Sequence, residues 1–118
     1  MKDSIYYYGL GIESLEKGDI QTALVHFITS TAITPHFKTY EQLYHLLSKL
    51  NCIEESGIML ENAYMLNPNS DKVAFLYAKW LVGLENYDEA RKILHNITSR
   101  NDTYKMARKL LDSLDEQD

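Results

Sequence analysis

The strongest constraint on this chain is a helix–turn–helix pattern that recurs along it. Gly83-Leu84-Glu85-Asn86-Tyr87-Asp88-Glu89-Ala90-Arg91-Lys92-Ile93-Leu94 joins one amphipathic stretch to the next through a short polar break. The same grammar stands at Glu16-Lys17-Gly18-Asp19-Ile20-Gln21-Thr22-Ala23 and at Lys49-Leu50-Asn51-Cys52-Ile53-Glu54-Glu55-Ser56. Overlaying the copies gives shifts of 33 and then 34 residues, which carry Leu10 onto Leu43 and Tyr77, Ala23 onto Ser56 and Ala90, and Phe27 onto Leu60 and Leu94. A repeat of this period is the mark of a stacked array, because one helix pair cannot bury its apolar face alone.

The pattern of apolar positions predicts seven helices. The first spans Ser4 to Glu16, and Gly18-Asp19 breaks it. Asp19 caps a second helix that ends by Pro35. Further helices are expected over Phe37 to Lys49, Ile53 to Asn67, Lys72 to Leu84, Asp88 to Thr98 and Thr103 to Leu114. Pro68 disfavours helical backbone at Asn67, and Ser70 or Asp71 is placed to cap the fifth helix. Glu85-Asn86-Tyr87 is expected as the turn, with Tyr87 wedged into it. The connections are short, so successive helices should run antiparallel. No segment alternates as a strand would.

Small residues recur where helices would cross: Gly11, Ala78, Ala23, Ser56 and Ala90. They let helix axes approach, while Leu, Phe and Tyr positions fill the space left. Together with the turn and the closing proline, this alternation resembles the tetratricopeptide repeat family. Leu10, Gly11, Gly18, Ala23, Phe27, Ser30 and Pro35 carry the resemblance in the first copy. Tyr77, Ala78, Leu81, Tyr87, Ala90, Leu94 and Ile97 carry it in the third. The chain departs from the family pattern at Ser14, Tyr44 and Asp102. The resemblance covers about Ser4 to Asp102. It implies an all-α, right-handed α-α superhelix of three helix pairs plus a C-terminal capping helix. Read this way, residues 4–116 form a single domain, with repeats at about 4–36, 37–70 and 71–102 and the capping helix at about 103–115. Lys105, Arg108 and Lys109 mark the wet side of that last helix.

The resemblance also implies a concave groove, lined mainly by the first helix of each pair, that binds a protein or peptide partner. On that geometry the groove residues include Tyr8 and Ile12 in the first repeat, Lys38, Glu41 and His45 in the second, and Lys72, Phe75 and Lys79 in the third. An apolar anchor is expected near Tyr8, Ile12 and Phe75, with an acidic group near Lys72 or Lys79. The alternative is that Tyr8, Ile12 and Phe75 only cover a small core or a dimer contact. Ile5 and Tyr6 form an exposed edge suited to self-association, which would make the protein a homo-oligomer. A subclass of the family grips acidic chaperone tails through a clamp of Lys, Asn and Arg. At the matching positions this chain has Tyr8, Ile12, Gln42, Lys72 and Leu76, of which only Lys72 fits.

Composition narrows the function classes. Formal net charge is −5, against the clustered positive charge that phosphate contact needs, so no nucleic-acid partner is expected. Cys52 is the single cysteine and allows no intramolecular disulfide, which suits a reducing, cytoplasmic setting. The triplets Asn96-Ile97-Thr98 and Asn101-Asp102-Thr103 are then chance matches to the glycosylation signal. No long apolar run predicts a membrane span or a signal segment. His26, His36, His45 and His95 are scattered, without metal-ligand spacing, and no cofactor or catalytic residue is expected. Three alternatives to the partner-binding scaffold stay open: a self-associating assembly subunit, a fragment of a longer array, and a small enzyme with a pocket collecting His45, Cys52 or Glu41.

Overall fold

A computed structural model describes residues 2–116. Their regular structure is entirely helical: α1 (Ser4–Glu16), α2 (Ile20–Ile33), α3 (Phe37–Lys49), α4 (Ile53–Leu66), α5 (Asp71–Gly83), α6 (Tyr87–Arg100) and α7 (Lys105–Glu116). The fold class is therefore the expected all-α one, three helix pairs followed by a single helix. The chain divides into two compact units, Met1–Leu66 with α1 to α4 and Asn67–Asp118 with α5 to α7. Gln117 and Asp118 lie outside the described residues.

Local chemistry sets the helix starts. The carboxylate of Asp3 accepts from the Tyr6 amide at 2.9 Å and that of Asp19 from the Thr22 amide at 3.1 Å. The Ser70 hydroxyl accepts from the Val73 amide at 3.4 Å, so α5 begins at Asp71. Each of these satisfies an amide that has no partner inside its own helix. α7 starts two residues later than the apolar pattern suggests. The Asn101 side chain accepts from both the amide (3.3 Å) and the hydroxyl (2.7 Å) of Thr103 and holds residues 101–103 in a turn.

The three breaks between paired helices share one geometry. Gly18, Asn51 and Glu85 stand at equivalent repeat positions and have φ of 76°, 65° and 62°. In each, the following amide reaches back across the turn: Asp19 to the Ser14 carbonyl (2.9 Å), Cys52 to Leu47 (2.8 Å) and Asn86 to Leu81 (2.9 Å). This is the Schellman closure, which needs one left-handed residue. Tyr87 does not wedge the third turn as expected. It is the first residue of α6 and is 36% exposed, because Glu85 already supplies the reversal.

In the first unit the core is Ala23 and Phe27 of α2 with Leu43 and Leu46 of α3. Tyr8, Ile12 and Leu15 pack onto it from α1, and Met59 from α4. Gly11 is buried where α1 crosses α2: a methyl group there would lie 2.5 Å from the Phe27 ring. The buried Ser30 hydroxyl donates to the Ser4 carbonyl at 2.8 Å and ties the end of α2 to the start of α1.

In the second unit Ala74, Ala78 and Leu81 of α5, and Ala90, Leu94 and Ile97 of α6, are buried. α7 packs along α6 and buries Ala107, Leu111 and Leu114. Arg91 on α6 donates to the Leu114 carbonyl at 3.2 Å, and its guanidinium lies 3.6 Å from Asp115, beside the end of α7. Asp71 joins α5 to the end of α6. Its carboxylate accepts from Arg100 Nε at 2.7 Å and from Asn101 Nδ2 at 3.0 Å.

Candidate functional site

Two depressions, one in each unit, hold half of the candidate residues. The first is an open cleft of about 320 Å³ between the start of α1, the end of α2 and the start of α3. Ile5 and Tyr8 supply its apolar wall, Ser30 and Thr34 its α2 side, and His36 and Lys38 its α3 rim. The Tyr8 ring is tilted against Phe27 with centroids 5.4 Å apart, and its hydroxyl accepts weakly from Gln42 Nε2 at 3.5 Å. Tyr8 is thus fixed from below and half-exposed above. His36 caps α3, with Nδ1 accepting from the Lys38 amide at 3.1 Å and the ring stacked on Phe37. That leaves the Lys38 ammonium exposed at the rim.

The cleft gathers Ile5, Tyr8 and Lys38 but not Ile12, Glu41 or His45. Ile12 lies further along α1, half-buried on the core. Glu41 and His45 form an i,i+4 pair along α3 with Nε2 3.7 Å from the carboxylate. Tyr6 is 42% exposed, its ring edge-on to Tyr7 and covered by the Lys2 ammonium at 4.7 Å. Ile5, at 77% exposure, is the most exposed large apolar side chain of the described residues.

The second depression is a trough of about 410 Å³ between α5 and α7, lined by Phe75, Lys79, Met106, Lys109, Leu110 and Ser113. Phe75 is only 9% exposed, because Tyr104, just before α7, packs against its ring with centroids 5.9 Å apart. It forms a floor rather than a projecting anchor. Lys72 does not line the trough. Its charge acts on Tyr104, whose phenol is pushed above its usual range chiefly by burial and next by the Asp71 carboxylate, with Lys72 opposing. The α7 contribution is missing from the sequence reading, which gave that helix only a covering role. The signal was there, since Met106, Lys109, Leu110 and Ser113 follow helical spacing along one line of α7.

Neither depression gathers groups for acid–base chemistry. Among the described residues no group of three or more His, Cys, Asp or Glu side chains is placed to hold a metal ion. The Cys52 thiol lies in the α3–α4 turn, 3.8 Å from the Leu50 carbonyl. No helix of the described residues is long and apolar enough to cross a membrane.

The comparisons with known proteins agree with this architecture. Residues 59–114 match the tetratricopeptide repeat family model. No curated protein sequence matches the chain. Among solved structures, a chain of the crystal structure of the APC/C hetero-tetramer Cut9-Hcn1 is similar over 95% of this chain, at 23% sequence identity and a TM-score of 0.71. This chain spans 23% of the length of that one, and a likeness at that identity speaks for the fold. Residues 59–114 thus match the tetratricopeptide repeat family, and the turn geometry of that segment recurs in the helix pairs before it.

Proposed function

We propose that this chain is a non-catalytic binding module that takes a protein or peptide partner on the faces of its first-of-pair helices. The observation that carries this reading is the cleft at the start of α1 and α3. It combines an exposed Ile5, a Tyr8 ring held rigidly by Phe27, and a free-standing Lys38 at the rim. A preorganised aromatic beside an open apolar wall recognises a side chain at small entropic cost. The scattered histidines and the turn cysteine support binding over catalysis, since acid–base work needs such groups convergent. The test is capture of partners from the native cell with wild type and with Ile5→Asp/Lys38→Glu. Both side chains are exposed, so the variant keeps its core. Loss of partners in the variant is expected, and equal recovery would remove the cleft as the binding face.

A second reading, self-association through Ile5 and Tyr6, is favoured by one comparison inside the repeat. Thr39, the counterpart of Tyr6 in the next repeat, is 2% exposed, whereas Tyr6 is 42% exposed. A face covered in one copy of the repeat is open in the other. Sedimentation across a wide concentration range tests it. On this reading wild type self-associates and Ile5→Glu/Tyr6→Lys does not, while a wild type that stays monomeric throughout excludes it.

A further inference from the structure

We propose that the trough between α5 and α7 is a docking site for a short acidic peptide segment that places one apolar side chain between carboxylates. This rests on the peptide-binding reading above and adds a site and a partner chemistry to it. The floor is apolar: the edge of Phe75, a half-buried Leu110, and Met106, which is 57% exposed. A flexible, polarisable thioether left in water beside an aromatic edge adapts to an incoming apolar group.

The rims are cationic, with Lys79 on α5 and Lys109 on α7. The three arginines of this unit are already engaged: Arg91 with Asp88 and Asp115, Arg100 with Asp71, and Arg108 with Asp112. Lys79 and Lys109 make no ion pair among the described residues, and no carboxylate lines the trough. In a chain of net charge −5 this is a local reversal of sign. Two unpaired ammonium groups beside an apolar floor complement carboxylates that flank an apolar side chain. From Met106 to Ser113 the α7 wall is about 10 Å long at the helical rise, enough for about three extended residues or two helical turns of a partner. Nucleic acid is the poorer fit, because two cations on an acidic chain give little phosphate affinity and the floor offers no exposed aromatic face for stacking.

The test begins with a displayed library of random dodecapeptides selected on the full chain. Recovered peptides are then titrated into 15N-labelled protein. Enrichment of Asp and Glu around a Leu, Phe or Met is expected, with amide shifts concentrated at Lys79, Met106, Lys109, Leu110 and Ser113. Lys79→Glu/Lys109→Glu, two exposed positions, should weaken binding about tenfold or more, and added salt should weaken wild-type binding in parallel. Met106→Ser should weaken it without altering the salt dependence. Selected peptides that shift only Ile5, Tyr8 and Lys38 would overturn the trough and leave the peptide-binding reading standing. Recovery of no peptide would overturn both. Unchanged affinity in the charge-reversed variant, or equally tight binding of a dT12 oligonucleotide, would overturn the acidic-peptide assignment.

Discussion

Replacing Gly11 by Ala tests how closely α1 and α2 approach. A methyl group at Gly11 would stand 2.5 Å from Phe27 Cε1 and 2.7 Å from Cδ1 and Cζ. Carbon atoms settle at about 3.5–4.0 Å, so the deficit is about 1 Å. Phe27 has 0% exposure and also packs against the Tyr8 ring one turn along α1, with centroids 5.4 Å apart, so the ring has no open space to swing into. The helices must part instead, stretching the 2.8 Å Ser30–Ser4 hydrogen bond. Overpacking of this kind costs about 1–3 kcal/mol. The better helix propensity of Ala returns about 1 kcal/mol. A net loss of about 0–2 kcal/mol is expected, with Tm falling by about 4 °C for each kcal/mol lost in a chain of this size. Gly9→Ala is the matched control, because it lies in the same helix with nothing within 4 Å of the added methyl. It should gain the propensity term without the clash and stabilise by about 1 kcal/mol. Urea unfolding followed by circular dichroism reads both, and Phe27→Leu/Gly11→Ala should recover much of the packing loss relative to Phe27→Leu alone. Equal stability of the Gly9 and Gly11 variants would refute the close-approach argument, because the propensity change is the same in the two.

Glu85→Gly should stabilise by about 0.5–1 kcal/mol, because φ of 62° strains any side chain that carries a Cβ, whereas Gly18→Ala at φ of 76° should cost about 1 kcal/mol. Urea midpoints measure both, and a loss in the Glu85 variant would mean its side chain matters more than its backbone. Ser30→Ala removes the donor to the Ser4 carbonyl and should cost about 1 kcal/mol, read in the same way. The Asp71 carboxyl is held below its usual range chiefly by the Asn101 side-chain hydrogen bond and further by Arg100, with burial opposing. Its folded pKa lies below the unfolded one, so its stabilisation is present above about pH 4 and lost as pH falls through the folded value. The stability gap between wild type and Asp71→Asn should therefore be widest near neutral pH and shrink in acid. A gap that does not change between pH 7 and pH 2 would refute the linkage.

The limits of sequence legibility here are physical ones. Helix positions were legible because core periodicity and caps are local: Asp19 and Ser70 sit where a capping side chain must, and the apolar lines of α1 and α3 fix both spans. The small residues at Gly11 and Ala23 also announced a close crossing, since nothing larger fits a shared axis contact. Turn geometry was only partly legible. Gly18 signals a left-handed residue, but its equivalent Glu85 carries no such signal. The closure there is imposed by the Asn86–Leu81 bond and the packing on either side, a tertiary demand that overrides local preference. The start of α7 was hidden for a related reason, because Asn101 spends its side chain on both Thr103 and Asp71.

Candidate site residues were less legible than the fold, since a site depends on which lines of different helices meet. Helical spacing places Tyr8 and Ile12 side by side and both pack on the core, yet only Tyr8 also lines the cleft. The cleft depends on His36, Lys38 and Thr39, which α3 and its cap bring beside Tyr8 from some thirty residues away. Phe75 shows the same effect in the second unit: Tyr104 covers its ring and turns an expected anchor into a floor. Lys79 became part of a trough only because α7 supplies Met106 and Lys109 across from it. Periodicity reports the exposed and buried lines of one helix, whereas charge left unpaired beside an apolar floor is a property of two. That is why the cationic trough, the feature with the most definite partner chemistry, emerges only when α5 and α7 are placed together.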